Sequence, residues 1–442
     1  MKSTELFPTT SGKVTIKRTP KEYYVRDRES KKDLSINKDL AQILLLCTGQ
    51  NTLRDITKKI VQEKYPDEDQ ISEKTSKVLH NLSKDGIIYF SENETFVPIR
   101  FRETDFEFPL DTVYLEPTKK CNFPCIHCFA SSPKFTREID KVGEISLKDY
   151  EIVIKKIDEM GILGACITGG EPFLRKDTFD IIHLLDEANI EFGILSNGYF
   201  LDKQKVQELQ KLAPKFIGIS FDSHKEEIFE QIRGSNRYMK VLMNISNLVE
   251  SGLDPNINCI LFKGLNDSYE HIREYLEFLK KRGISKEKIT FDEMVPEGEA
   301  SNKRNFLVNE ETTISNIRKA YREVFDIDFF VIKSPEHVNP KTSFCGLGEE
   351  VCYINSFGDI SLCPALTNKE YVTGNILKDD LRKIWEKSSV FNYFRNKEHF
   401  KESKCLTCSS LDKCFGGCRA KSKTFSGVFN AVDPWMCAFY KE

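Results

Sequence analysis

Cys121-Asn122-Phe123-Pro124-Cys125-Ile126-His127-Cys128 follows directly on the apolar stretch Val113 to Pro117. The order found there, an apolar run, a turn and then an amphipathic segment, recurs downstream. The apolar runs are Val113 to Pro117, Ala165 to Thr168, Phe192 to Ser196, Phe216 to Asp222, Asn256 to Phe262 and Lys288 to Met294. Helical patterns lie between them at Ser146 to Met160, Asp177 to Ala188, Asp202 to Leu212, Met239 to Ser251 and Tyr269 to Arg282. Strand and helix alternating over about 30 residues predict a parallel sheet with right-handed crossovers. Six strands predict an α/β fold built on an open, partial (β/α)6 TIM barrel rather than a closed eight-stranded one, with ligands at the C-terminal strand ends.

Outward from this barrel, residues 111–300, the chain changes character on both sides. Residues 1–96 read as a separate α+β module. Strand patterns at Val14 to Arg18 and Tyr23 to Asp27 precede helical ones from Asn37, over Asp55 to Tyr65 and over Ser72 to Asp85, and Ile87 to Phe90 closes the module as a strand. That outline is winged-helix-like. Winged helices commonly bind DNA, yet acidic and basic residues are mixed throughout this segment, without the basic cluster that phosphate contacts need. Residues 301–342 form a bridging region, and residues 343–442 a cysteine-rich domain in which eight of the fourteen cysteines fall.

The length of 442 residues suits two to three domains, and 40% hydrophobic with 30% charged residues is a globular composition. A net charge of -3 removes the global footprint of a nucleic-acid binder. No apolar run approaches the roughly 20 residues of a membrane span, and the polar start lacks a secretory core. A cytoplasmic location without membrane or nucleic-acid partners is the expectation. Thiols stay reduced there, so metal binding or catalysis explains the cysteines better than disulfides do.

Cys121, Cys125 and Cys128 sit at the mouth of the first barrel strand. Three thiolates on one short loop suit an iron-sulfur cube whose fourth iron carries no protein ligand, whereas structural zinc normally takes four ligands. His127, between two ligands on the same loop, is poorly placed to reach the far iron. The second constellation comprises Cys345, Gly358-x4-Cys363, Cys405-x2-Cys408-x5-Cys414-x3-Cys418 and Cys437. Four cysteines within fourteen residues also fit a zinc ribbon. Cys47, Cys166 and Cys259 lie in apolar patterns and read as small buried hydrophobes.

The CxxxCxxC loop resembles that of the radical S-adenosylmethionine (SAM) superfamily, with His127 in the aromatic position. Gly169-Gly170-Glu171-Pro172, Ser196-Asn197-Gly198, and Ser220 with Asp222 follow at successive strand ends in that family's order, and Ile232-Arg233-Gly234 comes after them. The resemblance implies that SAM chelates the open iron and is cleaved to a 5′-deoxyadenosyl radical. It further implies SAM contacts from His127, from the Gly169, Gly170 and Glu171 turn, from Asn197, and from Ser220 and Asp222 at the ribose, with Arg233 on the carboxylate. The C-terminal cysteine spacing resembles the SPASM extension of radical SAM peptide maturases. This implies two auxiliary 4Fe-4S clusters, the first on Cys345, Cys363 and Cys418 with Cys352 as a candidate fourth ligand, and the second on Cys405, Cys408, Cys414 and Cys437. Three clusters and SAM are thus the expected cofactors.

The N-terminal module is similar in outline to the peptide-recognition element of such maturases. A leader peptide would add a strand to its sheet, raising the effective concentration of the core peptide. The implied function is radical modification of a ribosomally made precursor peptide, with cysteine thioether formation leading and a flavodoxin- or ferredoxin-type electron donor. Carbon-carbon linkage and epimerisation are the alternatives. Sulfatase maturation is another, weakened because Cys363 is followed by Pro364-Ala365-Leu366 where those relatives carry an aspartate base. A non-catalytic iron-sulfur or zinc winged-helix protein is the reading from another class.

Overall fold

Asn37 accepts a hydrogen bond from the Leu40 N–H, Ser146 and Asp149 close a reciprocal capping box, and Asp202 and Ser268 cap two further helices. Each satisfies a backbone donor that a helix start otherwise leaves without a partner. The computed structural model describes residues 5–64, 68–131, 143–327 and 345–440. The chain divides into two units, Met1–Pro109 and Leu110–Glu442.

In the first unit, β1 (Phe7–Thr10) is followed by the meander β2 (Val14–Arg18), β3 (Tyr23–Asp27) and β4 (Lys32–Ile36), then by helices α1 (Lys38–Leu45), α2 (Leu53–Lys64) and α3 (Glu68–Lys84), then by β5 (Ile88–Ser91) and β6 (Arg100–Glu103). The strand after the last helix makes no wing hairpin. It pairs antiparallel with β1, while β6, in a segment whose sequence shows little periodicity, pairs parallel with β2 to give the order β4-β3-β2-β6. Ile16, Val25, Leu44, Ile56, Leu79 and Ile87 form the core. Burying each such side chain is worth about 1.5–3 kcal/mol.

The second unit carries the expected barrel. Strands β7 (Thr112–Leu115), β8 (Gly164–Ile167), β9 (Glu191–Ser196), β10 (Phe216–Ser220), β11 (Asn256–Leu261) and β12 (Ile289–Glu293) are parallel and lie in sequence order. Helices α4 (Leu147–Glu159), α5 (Thr178–Glu187), α6 (Lys203–Leu212), α7 (Glu226–Arg233), α8 (Tyr238–Glu250) and α9 (Tyr269–Lys280) supply the crossovers. All six strands point their C-terminal ends the same way, so the loops after them share one mouth. The bridging region contributes α10 (Glu310–Phe325), and its remainder, residues 328–342, lies outside the described residues.

The sheet does not stop at β7. β13 (Val351–Ile354) joins β7 in parallel, and β14 (Asp359–Ser361) and β15 (Gly374–Asn375) continue antiparallel, making nine strands. The cysteine-rich segment thereby covers the backbone edge of the first barrel strand. Its helices are α11 (Leu381–Lys387), α12 (Ser389–Arg395), α13 (Leu411–Cys414), α14 (Arg419–Ser426) and α15 (Pro434–Tyr440). Among the described residues no helix is long and apolar enough to cross a membrane.

Candidate active site

The loop after β7 is held from three sides. Residues 118–120 run against the Gly169-Gly170 turn, where the Gly170 N–H donates to the Thr118 carbonyl at 2.9 Å and the Glu171 N–H to the Lys120 carbonyl at 2.8 Å. A side chain at Gly169 would meet the Thr118 carbonyl within 2.6 Å, and one at Gly170 would fall within 2.6 Å of the Lys119 carbonyl. Both glycines therefore let two backbones touch, and they build the shelf from which Cys121 departs. Arg237 donates to the Asn122 carbonyl at 2.5 Å while its guanidinium covers the rings of Phe123 and Tyr199. The Ile126 N–H donates to the Ile232 carbonyl at 3.0 Å.

Cys125 is buried, and Cys121 and Cys128 are partly exposed. Arg233 lies 3.7 Å from the Cys125 sulfur through Nη1, and Asn197 Nδ2 lies 3.9 Å from that of Cys121 while donating to Asn122 Oδ1 at 2.8 Å. Burial pushes the Cys121 thiol up to about 12, so a cation must arrive before it becomes a thiolate. The Arg233 charge acts the other way on Cys125, whose thiol burial alone would raise further.

Glu171 does not reach outward. Its fully buried carboxylate accepts from the Asn197 N–H at 2.8 Å, from Ser196 Oγ at 2.9 Å and from the Phe173 N–H at 3.3 Å. Burial raises its pKa to about 7 against these donors. Glu171 ties the ends of β8 and β9 together and thereby orients Asn197.

Asp222 is where the structure departs most from the reading at the ribose. Its Oδ1 accepts from the Ile260 N–H at 2.9 Å and its Oδ2 from Arg233 Nε at 2.5 Å, with no exposed surface left. Asp222 is thus a positioning residue for Arg233. Ser220, at the strand end, is partly exposed. The His127 ring meets Phe262 edge-on at 5.3 Å, and burial lowers its pKa to about 4, so it is neutral; its buried Nδ1 and the buried Nδ2 of Asn122 have no hydrogen-bond partner among the described residues.

Among the described residues no three His, Cys, Asp or Glu side chains converge on one metal-ion position, but the remaining thiols influence one another in two sets. Cys363 is raised by burial and then by Cys418 and Cys345. Cys414 is raised by burial and then by Cys405 and Cys408. Cys437, on α15, sits on the helix that packs against α13, which ends at Cys414. The Arg419 backbone N–H, in the first turn of α14, points at the Cys345 sulfur. Asp433 Oδ2 accepts the Cys418 N–H at 2.7 Å.

Cys352 stands apart. It pairs in register with Val113, whereas its neighbour Tyr353 pairs with Tyr114 on the opposite face of the sheet, and those two tyrosines are the ones that sense Cys363. Burial alone accounts for the rise of the Cys352 thiol to about 12. The strand turns it, fully buried, to the face opposite Tyr353, away from the Cys345, Cys363 and Cys418 group.

Several site residues gave no sequence signal strong enough to single out. Glu116 ends β7, is buried, and accepts from Tyr353 Oη at 2.5 Å and Ser356 Oγ at 3.2 Å, joining the first barrel strand to the cysteine-rich segment. A lone acid within Leu115-Glu116-Pro117 was the available hint. Lys421 of α14 reaches Asp292 directly and Glu293 Oε1 at 3.6 Å, both at the end of β12. The donor chemistry fits iron-sulfur clusters: the groups are all sulfur, with backbone N–H groups and an arginine directed at the thiols.

Comparison with known proteins agrees with this chemistry. Residues 115–279 match the Radical SAM superfamily, and residues 345–409 match SPASM, an iron-sulfur cluster-binding domain. The mycofactocin maturase MftC of Mycolicibacterium smegmatis is 23% identical over 338 residues, covering 72% of this chain and 80% of that protein. The AdoMet-dependent heme synthase of Oleidesulfovibrio alaskensis is 23% identical over 348 residues, covering 73% and 86%. Among solved structures, Streptococcus suis SuiB bound to precursor peptide SuiA superposes with a TM-score of 0.64 at 18% identity, covering 97% of this chain and 99% of that one. Native anSMEcpe with bound AdoMet gives 0.58 at 18% identity over 74% and 94%. These likenesses establish the shared fold.

Proposed function

Because this chain carries a radical SAM domain joined to a SPASM iron-sulfur domain, and is an enzyme that uses SAM and several 4Fe-4S clusters, we propose that it modifies a ribosomally made precursor peptide by forming cysteine sulfur-to-carbon thioether links. When bound to the Cys121, Cys125 and Cys128 cluster, SAM supplies a 5′-deoxyadenosyl radical able to remove a hydrogen atom from an unactivated carbon. The observation that carries the reading is a cavity of about 450 Å³. Phe129, Ala130 and Ser131, directly after Cys128, line one part of it, and Pro364, Ala365 and Thr367, directly after Cys363, line another. A peptide side chain there lies between the loop that starts the radical and a loop that offers an electron acceptor.

The chain's own residues divide the work. Cys121, Cys125 and Cys128 hold the SAM-binding cluster; Arg233, held by Asp222, pairs with the SAM carboxylate; Asn197, held by Glu171, and Ser220 line the approach to the cofactor. Cys345, Cys363 and Cys418 hold one auxiliary cluster, and Cys405, Cys408, Cys414 and Cys437 the other. The first unit, residues 1–109, would take the leader of the peptide as an added strand. The likeness to SuiB, whose structure was solved with its precursor peptide SuiA bound, supports a peptide as the substrate. A flavodoxin- or ferredoxin-type protein is the electron donor this chemistry calls for.

Precursor mass tests the proposal. Incubation with a cysteine-containing peptide translated from a short reading frame beside the gene, with SAM and reductant, is expected to remove two hydrogens per link. An unchanged mass with deuterium gained from heavy water would instead identify an epimerase. Pro364-Ala365 follows Cys363 where sulfatase-maturing relatives carry an aspartate base, so oxidation of a sulfatase serine or cysteine would need its base from elsewhere in the cavity.

A further inference from the structure

The cavity between the two cysteine loops has two ionisable side chains among its lining residues, Lys119 and Glu297. Glu297 follows β12 and is fixed from the other domain: Thr424 donates its hydroxyl to Glu297 Oε1. Thr424 lies on α14, and three residues earlier on that helix Lys421 grips Asp292 and Glu293. One helix, whose N-cap is the cluster ligand Cys418, therefore holds the end of the last barrel strand at two points one turn apart. The same two contacts place a carboxylate on the cavity wall. The wall after Cys363 offers Pro364, Ala365, Thr367 and Asn368, none of them a carboxylate or an imidazole.

We infer that Glu297 is the proton acceptor for the peptide side chain that is modified in this cavity. This rests on the peptide-modifying reading above and assigns its base. In forming one link, the peptide carbon loses its hydrogen atom to the 5′-deoxyadenosyl radical, giving 5′-deoxyadenosine. The partner thiol loses its proton to the Glu297 carboxylate, which becomes a carboxylic acid. The sulfur-carbon bond forms, and the one electron left over passes to an oxidised iron-sulfur cluster of the cysteine-rich domain. Thr424 is a positioning residue that keeps one carboxylate oxygen turned away and leaves the other for the substrate.

The test uses full-length, reconstituted enzyme with a cysteine-containing peptide translated from a short reading frame beside its gene, and compares wild type, Glu297→Gln, Glu297→Asp and Thr424→Val. The readout is modified peptide per 5′-deoxyadenosine formed. A general base contributes about 10²–10⁴-fold, so the ratio is expected to fall about 100-fold or more in Glu297→Gln. It is expected to recover to within about tenfold of wild type in Glu297→Asp, and to fall by less than in Glu297→Gln for Thr424→Val. A ratio unchanged in Glu297→Gln overturns the assignment, as does a parallel loss of both products, which marks a structural role. Anisotropy of the labelled peptide separates affinity from chemistry: a Kd that rises as far as the ratio falls also overturns it. A wild type that leaves the peptide mass unchanged overturns the function itself, whatever the variants do.

Discussion

Replacing Glu171 by Gln isolates the electrostatics of the loop that carries the three cysteines. The carboxyl is fully buried among the Asn197 N–H, Ser196 Oγ and the Phe173 N–H, and burial carries its pKa from the ordinary 4.5 to about 7. The folded protein therefore keeps a proton that the unfolded chain has already released between these values, and stability falls as pH rises through that window. At about 1.36 kcal/mol per pH unit, the interval amounts to about 3 kcal/mol. Gln is the uncharged isostere, with its amide able to donate to Ser196 Oγ, and it carries no such dependence. Anaerobic urea unfolding of the cluster-free chain, followed by the fluorescence of Trp385 and Trp435, both in the second unit, reads the difference. Glu171→Gln is expected to match wild type near pH 4.5 and to exceed it by about 3 kcal/mol above pH 7. A difference that stays constant to about 0.5 kcal/mol over this range would refute the burial argument.

Four further outcomes follow from the same geometry. Gly170→Ala drives a methyl into the Lys119 and Lys120 carbonyls, both backbone, so the shelf under Cys121 must shift; unfolding is expected to register a loss of about 2–4 kcal/mol together with loss of SAM cleavage. Arg233→Ala strands the buried Asp222 carboxylate at an expected cost of about 3–5 kcal/mol, of which Arg233→Lys recovers only part, because a single ammonium cannot serve Asp222 and Cys125 as the fork does. Cys352→Ala is expected to keep the iron and sulfide of wild type, whereas Cys363→Ala loses about one cube per chain by colorimetric assay. Lys421→Met removes the cation facing Glu293, whose pKa burial already raises to about 8, and is expected to destabilise at alkaline pH more than at pH 6.

The six barrel strands were readable because each is a short apolar run closed by its own turn residues, and helix starts such as Ser146, Asp202 and Ser268 announce themselves through caps. Such signals are local. What the sequence hid depends on pairings between distant segments. Nothing in Val351 to Ile354 says that it will join β7, more than two hundred residues earlier in the chain, and the fate of Cys352 turns on that register alone. Asp222 has the residue type and strand-end position of a ribose ligand; only the fold reveals that Ile260 and Arg233 have already taken both its oxygens. The glycine turn stands out in the sequence, and the backbone it accommodates in the structure is that of residues 118–120. The β1–β5 pairing that replaces a wing follows the same rule, since strand partners across eighty residues leave no periodic trace.

The whole proposal requires Cys121, Cys125 and Cys128 to hold a cluster with one open iron on which SAM is cleaved. The direct measurement is 5′-deoxyadenosine formed from SAM and dithionite by anaerobically reconstituted protein, alongside its metal content. Wild type is expected to hold about twelve irons in three cubes and to release 5′-deoxyadenosine. Cys121→Ala is expected to release none, and Cys414→Ala to retain cleavage. Undiminished cleavage in Cys121→Ala, or zinc in place of iron, would contradict the assignment.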